Sequence, residues 1–299
     1  MDLSNDLLWP HFSPLWEALR TRDSRVLLAA GGYGLYLKQH YFLANRERPT
    51  LVPLDQWLEN TPRVTKDMDL VIDLELIADE KQNRETCRIL RDHGFTENDQ
   101  QSGLRWQWMK PLDEDRKVVV ELHAPHPSAE DKELVSDGLR VKRKQSLKKD
   151  GIHGHDTPEA VGCETKPFAL DINGVPVEVP NPITWTIMKL TAMRDRWIAH
   201  EVGTEEEKRR KFRDDAIKHG RDVCRVVALV SPDEADGVSE AIEQISQTEE
   251  FQEAAGLQAD FFQGEQCWAT DLVADDWSAD DFAVIRETLN SWYSEKMNA

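Results

Sequence analysis

The chain has 299 residues, 39% of them hydrophobic and 31% charged, with 15 Gly and 14 Pro, a composition that excludes collagen-like, low-complexity and wholly disordered classes and leaves one large globular domain or two ordinary ones. Net charge is −19, but residues 231–299 hold 17 acids against two bases, Arg286 and Lys296, a balance of −15 that leaves the first 230 residues at −4; the electrostatic argument against nucleic-acid binding therefore applies to the end of the chain and not to its body. The opening residues carry no basic and apolar leader pattern, no window reaches the roughly 18 apolar residues of a membrane span, and Cys87, Cys163, Cys224 and Cys267 form no C-x-x-C pair, so the expectation is a cytoplasmic protein with reduced thiols and no membrane partner.

Residues 2–20 show helical spacing interrupted by Pro10 and Pro14, which predicts a short helix broken into two pieces. The apolar run Arg25 to Ala30, the pair Gly31-Gly32 and the segment Tyr33 to Asn45 read as strand, glycine turn and helix. Three prolines between Arg46 and Pro62 predict an ordered loop with one helical piece around Leu54 to Glu59. From Asp67 to Leu76 polar and apolar residues alternate, predicting a strand with one buried face, and Asp79 to His93 is an amphipathic helix stopped by Gly94. Leu104 to Lys110 and Lys117 to His123 form a predicted hairpin across a polar turn. Residues 125–167 read as irregular and contain a basic stretch from Arg140 to Lys149. Asn173-Gly174 marks a second hairpin, Pro180 and Pro182 open a helix running to about Ala199, and everything after Glu205 is helical in pattern, including helices near 233–248 and 280–297. The predicted fold class is α+β, a small mixed sheet with flanking helices in residues 1–180, followed by an α-helical C-terminal region, 181–299, with an acidic end.

Chemistry concentrates in the front half. A glycine turn at a helix N-terminus offers bare N–H groups and the positive end of the helix dipole to a phosphate. The strand period places Asp67 and Asp69 on one face about 7 Å apart, a spacing at which two carboxylates can share Mg2+. Glu121, on a later strand, shares its face with Val119 and His123 and is the candidate third carboxylate. The histidines His123, His126, His153 and His155 match no closed zinc site. No G-x-S-x-G, Walker loop or nicotinamide fingerprint occurs.

Gly31-Gly32 after an apolar strand, followed by Arg63-x-Thr65-x-Asp67-x-Asp69-Leu70, resembles the signature of the polymerase-beta-like minimal nucleotidyltransferases, most of all the AbiEii/AbiGii toxin group. Lys189-Leu190-x-Ala192-x-x-x-Arg196 with a later Arg221-Asp222 is similar to a second block of that group. The resemblance spans about Arg25 to Val230. It implies a nucleotidyltransferase fold in which Gly31, Gly32, Thr65, Lys66 and Arg196 bind the NTP, Asp67, Asp69 and Glu121 hold Mg2+, and Lys189 and Asp222 complete the catalytic set. The family's third carboxylate is usually Asp where this chain has Glu121, and Arg225 stands where a second Asp is common. The implied activity is transfer of an NMP to a hydroxyl, with tRNA or another RNA held by Arg140 to Lys149 as the leading acceptor, in a toxin-antitoxin or phage-defence pair with a cognate antitoxin. The alternatives are a catalytically degenerate fold used as a binding module and a small-molecule nucleotidyltransferase of the aminoglycoside-modifying kind.

Overall fold

The alternation that begins at Asp67 becomes a strand, β2, only as far as Ile72. Asp73 ends it: its side chain accepts a hydrogen bond from the Glu75 N–H at 2.7 Å and caps a short helix, Leu74–Ala78. Leu74 and Leu76, read as strand residues, are therefore helical, because a capping aspartate competes with the ladder for the chain's next turn. The computed structural model describes residues 3, 6–20, 27–57, 67–98, 105–144, 151–264 and 266–294. They fall into two compact units, Met1–Tyr41 with Arg63–Pro180, and Phe42–Pro62 with Asn181–Ala299.

The first unit is a mixed sheet flanked by helices. Strand β1 (Leu27–Ala29) lies antiparallel to β2 (Asp67–Ile72), and β2 lies parallel to β5 (Lys117–Ala124). Between them the chain passes through α3 (Leu74–Ala78), α4 (Glu80–Asp92), β3 (Thr96–Glu97) and β4 (Gln107–Pro111), which pairs antiparallel with β5 as the predicted hairpin. Asp79 caps α4, and Gly94, at φ +83°, follows its end as expected.

Residues 125–167, read as irregular, instead contribute β6 (Leu134–Ser136), β7 (Arg140–Arg143) and β8 (Gly154–Asp156), extending the sheet in the order β1-β2-β5-β8-β7-β6. These strands are too short for a periodic pattern, and the run before β8 is anchored by a distant side chain. Buried Asn83 on α4 donates to the carbonyls of Ile77 and Ile152 and accepts from the Ile152 N–H at 2.9 Å. A second correction concerns the N-terminal helix α1 (Trp9–Arg20), which is continuous through Pro14. Pro10 occupies the first turn, where no N–H is needed, and the helix is held from outside by Trp16 and Arg20, both donating to the Pro176 carbonyl. Pro176 lies in the hairpin β9 (Phe168–Ile172) and β10 (Val175–Val179), closed through Asn173 and Gly174 at positive φ.

Period two divides the central strands into two faces. Met68 and Leu70 stand opposite Val120 and Leu122, Trp108 stands opposite Val120 on its other side, and with Ile72 all are buried. The opposite face carries Asp67, Asp69, Glu121, His123 and Gln107.

The second unit is α-helical: α5 (Pro182–Val202), α6 (Glu206–Ala228), α7 (Ala235–Ile245), α8 (Glu249–Phe262), α9 (Trp268–Leu272) and α10 (Ala279–Ser294). Asn181 caps α5 and Pro182 takes its first position. The proline-rich segment after α2 (Gly31–Ala44) belongs here too, because the N–H groups of Leu51 and Val52 bond the carbonyls of Val230 and Ala228 beyond and at the end of α6. No helix among the described residues is long and apolar enough to cross a membrane.

Candidate functional site

Strand register builds the centre of the site. Asp69 stands opposite Glu121 across the parallel β2/β5 pair, and Gln107 stands opposite Glu121 on its other side. Two residues along β5, His123 returns to the same face. One ligand atom from each of Asp69, Glu121 and His123 lies within 4.8 Å of the others. The imidazole Nε2 is 3.6 Å from an Asp69 oxygen and 3.8 Å from a Glu121 oxygen. All three side chains are partly buried, with 15% of His123 and 23% of each carboxylate exposed.

Each is held by a neighbour. The Gln107 amide donates to Glu121 Oε1 at 2.6 Å and is itself bonded by the Asn98 amide, which turns the other Glu121 oxygen toward His123. His123 Nδ1 is 3.0 Å from the Thr157 hydroxyl, and Thr157 donates to the His155 carbonyl at 3.1 Å. The His155 ring stacks on Trp106, with centroids 4.3 Å apart.

Electrostatics follow from crowding. Burial and then the charge of Asp69 push the Glu121 carboxyl above its ordinary range, against the pull of His123 and Gln107. Burial works against the charged form of His123, yet the Asp69 hydrogen bond and the charges of Asp69, Glu121 and Glu159 prevail and raise its pKa. Burial first, and then the His123 charge, drive His155 down to about 4. Two carboxylates in this setting favour a positive charge between them, and a divalent cation fits the donor set of two carboxylates and an imidazole.

Gly31 brings the start of α2 against this centre. Its φ is +60°, and a Cβ there would sit 1.6 Å from Asp69 Oδ2, so no other residue fits without displacing the carboxylate. The Ala30 N–H bonds the Asp69 carbonyl at 2.9 Å, locking β1 and β2 at this point. Gly32 follows in the first turn and is buried. Helix geometry leaves the N–H groups of that turn without intrahelical acceptors, the arrangement that suits an anion.

Asp67 occupies the exposed start of β2 on the same face, close enough for its charge to reach Glu121 but outside the three-residue cluster. Thr65, Lys66 and Arg63 lie outside the described residues. In the helical unit, buried Lys189 donates to Asp222 at 2.8 Å, and Arg225 approaches the other Asp222 oxygen at 3.4 Å. Arg196, seven residues along α5, is exposed rather than buried beside Lys189. In the basic stretch Arg140 and Lys142 pair with Asp137, Arg143 pairs with Glu80, and Lys144 donates to the Lys132 carbonyl; Lys148 and Lys149 lie outside the described residues.

His123 is the member of the cluster that motif reading omits. Its signal was present in the Glu121-x-His123 spacing on one strand face, but the partner that gives the spacing meaning, Asp69, is 54 residues away in sequence.

No family model matches the chain, and no curated protein matches it. Among solved structures, a crystal structure of an antigenic nucleotidyltransferase-like protein from Paracoccidioides brasiliensis is similar at TM-score 0.31 and 15% identity, over 78% of this chain and 95% of that one. At that level the likeness adds nothing to the geometry described above.

Proposed function

We propose that the protein is a divalent-metal-dependent nucleotidyltransferase that moves an NMP from an NTP to an acceptor hydroxyl. The observation that carries this reading is the meeting of Asp69, Glu121 and His123 on adjacent parallel strands with the Gly31 turn pressed against Asp69. A bound cation supplies charge neutralisation for the triphosphate and for the attacking and leaving oxygens of an in-line displacement. The chain's own contribution is positional. Asp69 and Glu121 would hold the cation, the first turn of α2 with Gly31 and Gly32 would receive phosphate oxygens, and Asp67, exposed on the same face, would accept a second cation or the proton of an incoming hydroxyl.

Mg2+ is the ion that the aspartate pair by itself calls for. An RNA acceptor, tRNA above all, a cognate antitoxin, and a toxin or phage-defence role are supported by the motif resemblance. The same resemblance supports roles for Lys189, Asp222 and Arg196 in the activity.

The test is incubation of wild type and Asp69→Asn with a divalent cation and each of four α-labelled NTPs, plus bulk tRNA and cell lysate, followed by resolving where label lands. The expected outcome is label on RNA or protein with wild type and at least about a hundredfold less with Asp69→Asn. Equal labelling by both proteins would remove Asp69 from the mechanism, and no labelling by either would remove the transferase reading.

A further inference from the structure

We propose that the Asp69, Glu121 and His123 cluster is a site for a divalent transition ion, of the Mn2+, Co2+ and Zn2+ class, and binds it in preference to Mg2+. The inference deepens the nucleotidyltransferase reading and rests on it for the function of the ion, though not for its binding.

The argument starts from donor type. Mg2+ is a hard ion that takes oxygen ligands and retains water, whereas affinity for a site containing imidazole nitrogen rises along the first-row series from Mn2+, the hardest of them, through Co2+ towards Zn2+. One of the three donors here is an imidazole, and the fold presents it as a ligand. The Thr157 hydroxyl donates to the His155 carbonyl, so its lone pair is what faces His123 Nδ1 at 3.0 Å. With Nδ1–H donated to Thr157, Nε2 is the ring atom that faces Asp69 and Glu121, and a bound cation would take the place of the proton that Nε2 otherwise shares with Asp69. A ligating histidine oriented through its other ring nitrogen is the usual arrangement around transition metals.

The carboxylates are oriented to match. Gln107 occupies Glu121 Oε1 at 2.6 Å and leaves Oε2 on the side of His123. Asp69 packs against Gly31, whose missing Cβ leaves the room the carboxylate occupies. Three donors on two adjacent strands leave the remaining coordination positions open to water or phosphate oxygens, as in catalytic rather than closed structural sites. Asp67 is outside the three-residue cluster, so the set that closes on one ion includes a nitrogen and is not made of oxygens alone.

The measurement is Mn2+ binding to the full chain, read from loss of the free-ion electron paramagnetic resonance signal, with Mg2+ added as competitor. Wild type is expected to bind Mn2+ and retain at least half of it in about tenfold excess of Mg2+. His123→Gln keeps a polar side chain of similar reach but replaces nitrogen by an amide, and should lower Mn2+ affinity by about tenfold or more and abolish the preference. Asp69→Asn should weaken both ions. Circular dichroism of each variant establishes that it is folded, and if His123→Gln does not fold the wild-type competition alone decides. Displacement of Mn2+ by an equal concentration of Mg2+ from wild type, or an unchanged preference in folded His123→Gln, would overturn the assignment. Label transfer supported by Mg2+ alongside such a result would leave the transferase reading standing and only the ion assignment refuted; no binding of either ion by wild type would refute both.

Discussion

At the scale of single residues, two neighbours of the carboxylates, Gln107 and Gly31, set the geometry of the site. Gln107 satisfies one oxygen of Glu121, whose carboxyl is already crowded by burial and by Asp69. Gln107→Leu should therefore lower divalent-ion affinity by about 10–100-fold, as loss of an orienting partner does elsewhere, while the folded state survives; isothermal titration beside a thermal melt separates the two effects. Gly31 acts through absence. Alanine there must adopt φ +60° and also displace Asp69, so Gly31→Ala should lose at least about 1–2 kcal/mol from the left-handed backbone alone and lose ion binding with it. A variant of wild-type stability and affinity would mean that α2 does not press on Asp69.

At the scale of elements, α5 and α6 are joined by a buried charge pair. Lys189 and Asp222 are 7% and 1% exposed at their side chains, and Arg225 gives Asp222 a second, longer contact. Removing the lysine leaves a buried carboxylate with incomplete compensation. Lys189→Met should cost about 3–5 kcal/mol, and Lys189→Met with Asp222→Asn should recover part of it, as read from urea unfolding midpoints. A single variant without loss would show that Lys189 carries no structural load and strengthen a role toward substrate. The same scale explains the strands that the sequence did not reveal: β8 has three residues, too few for a pattern, and the run before it is anchored by Asn83 on α4.

At the scale of the whole molecule, charge and protonation set the conditions of stability. The −19 net charge is carried chiefly by the helical end, and in the described part of the basic stretch Arg140 and Lys142 pair with Asp137 and Arg143 with Glu80. Beyond that stretch, burial and then Arg140, Arg105 and Lys142 drive the His153 pKa from 6.5 down to about 4. The folded state thus binds this proton less readily than the unfolded chain. Its contribution to stability is complete above pH 6.5 and is lost as the pH falls toward 4. His153→Gln should flatten the decline in unfolding free energy between pH 6.5 and 5, and identical slopes for the two proteins would exclude His153 as its source.

The sequence by itself determined the elements that declare themselves locally: the β2 alternation through Asp67 and Asp69, the Gly31-Gly32 turn, the β4–β5 hairpin, the Asn173-Gly174 turn, and the helical run after Asn181. Side-chain period, positive φ and capping chemistry are properties of neighbours in the chain, and they are legible there. The tertiary structure decided what distance in the chain conceals. Parallel pairing of β2 with β5 put Asp69 beside Glu121 and, two residues on, His123; the close approach of Gly31 fixed the carboxylate; Lys189 found Asp222 across two helices. Parallel strands require a long crossover, so the register that unites their side chains is set by packing of the buried face and not by any local signal.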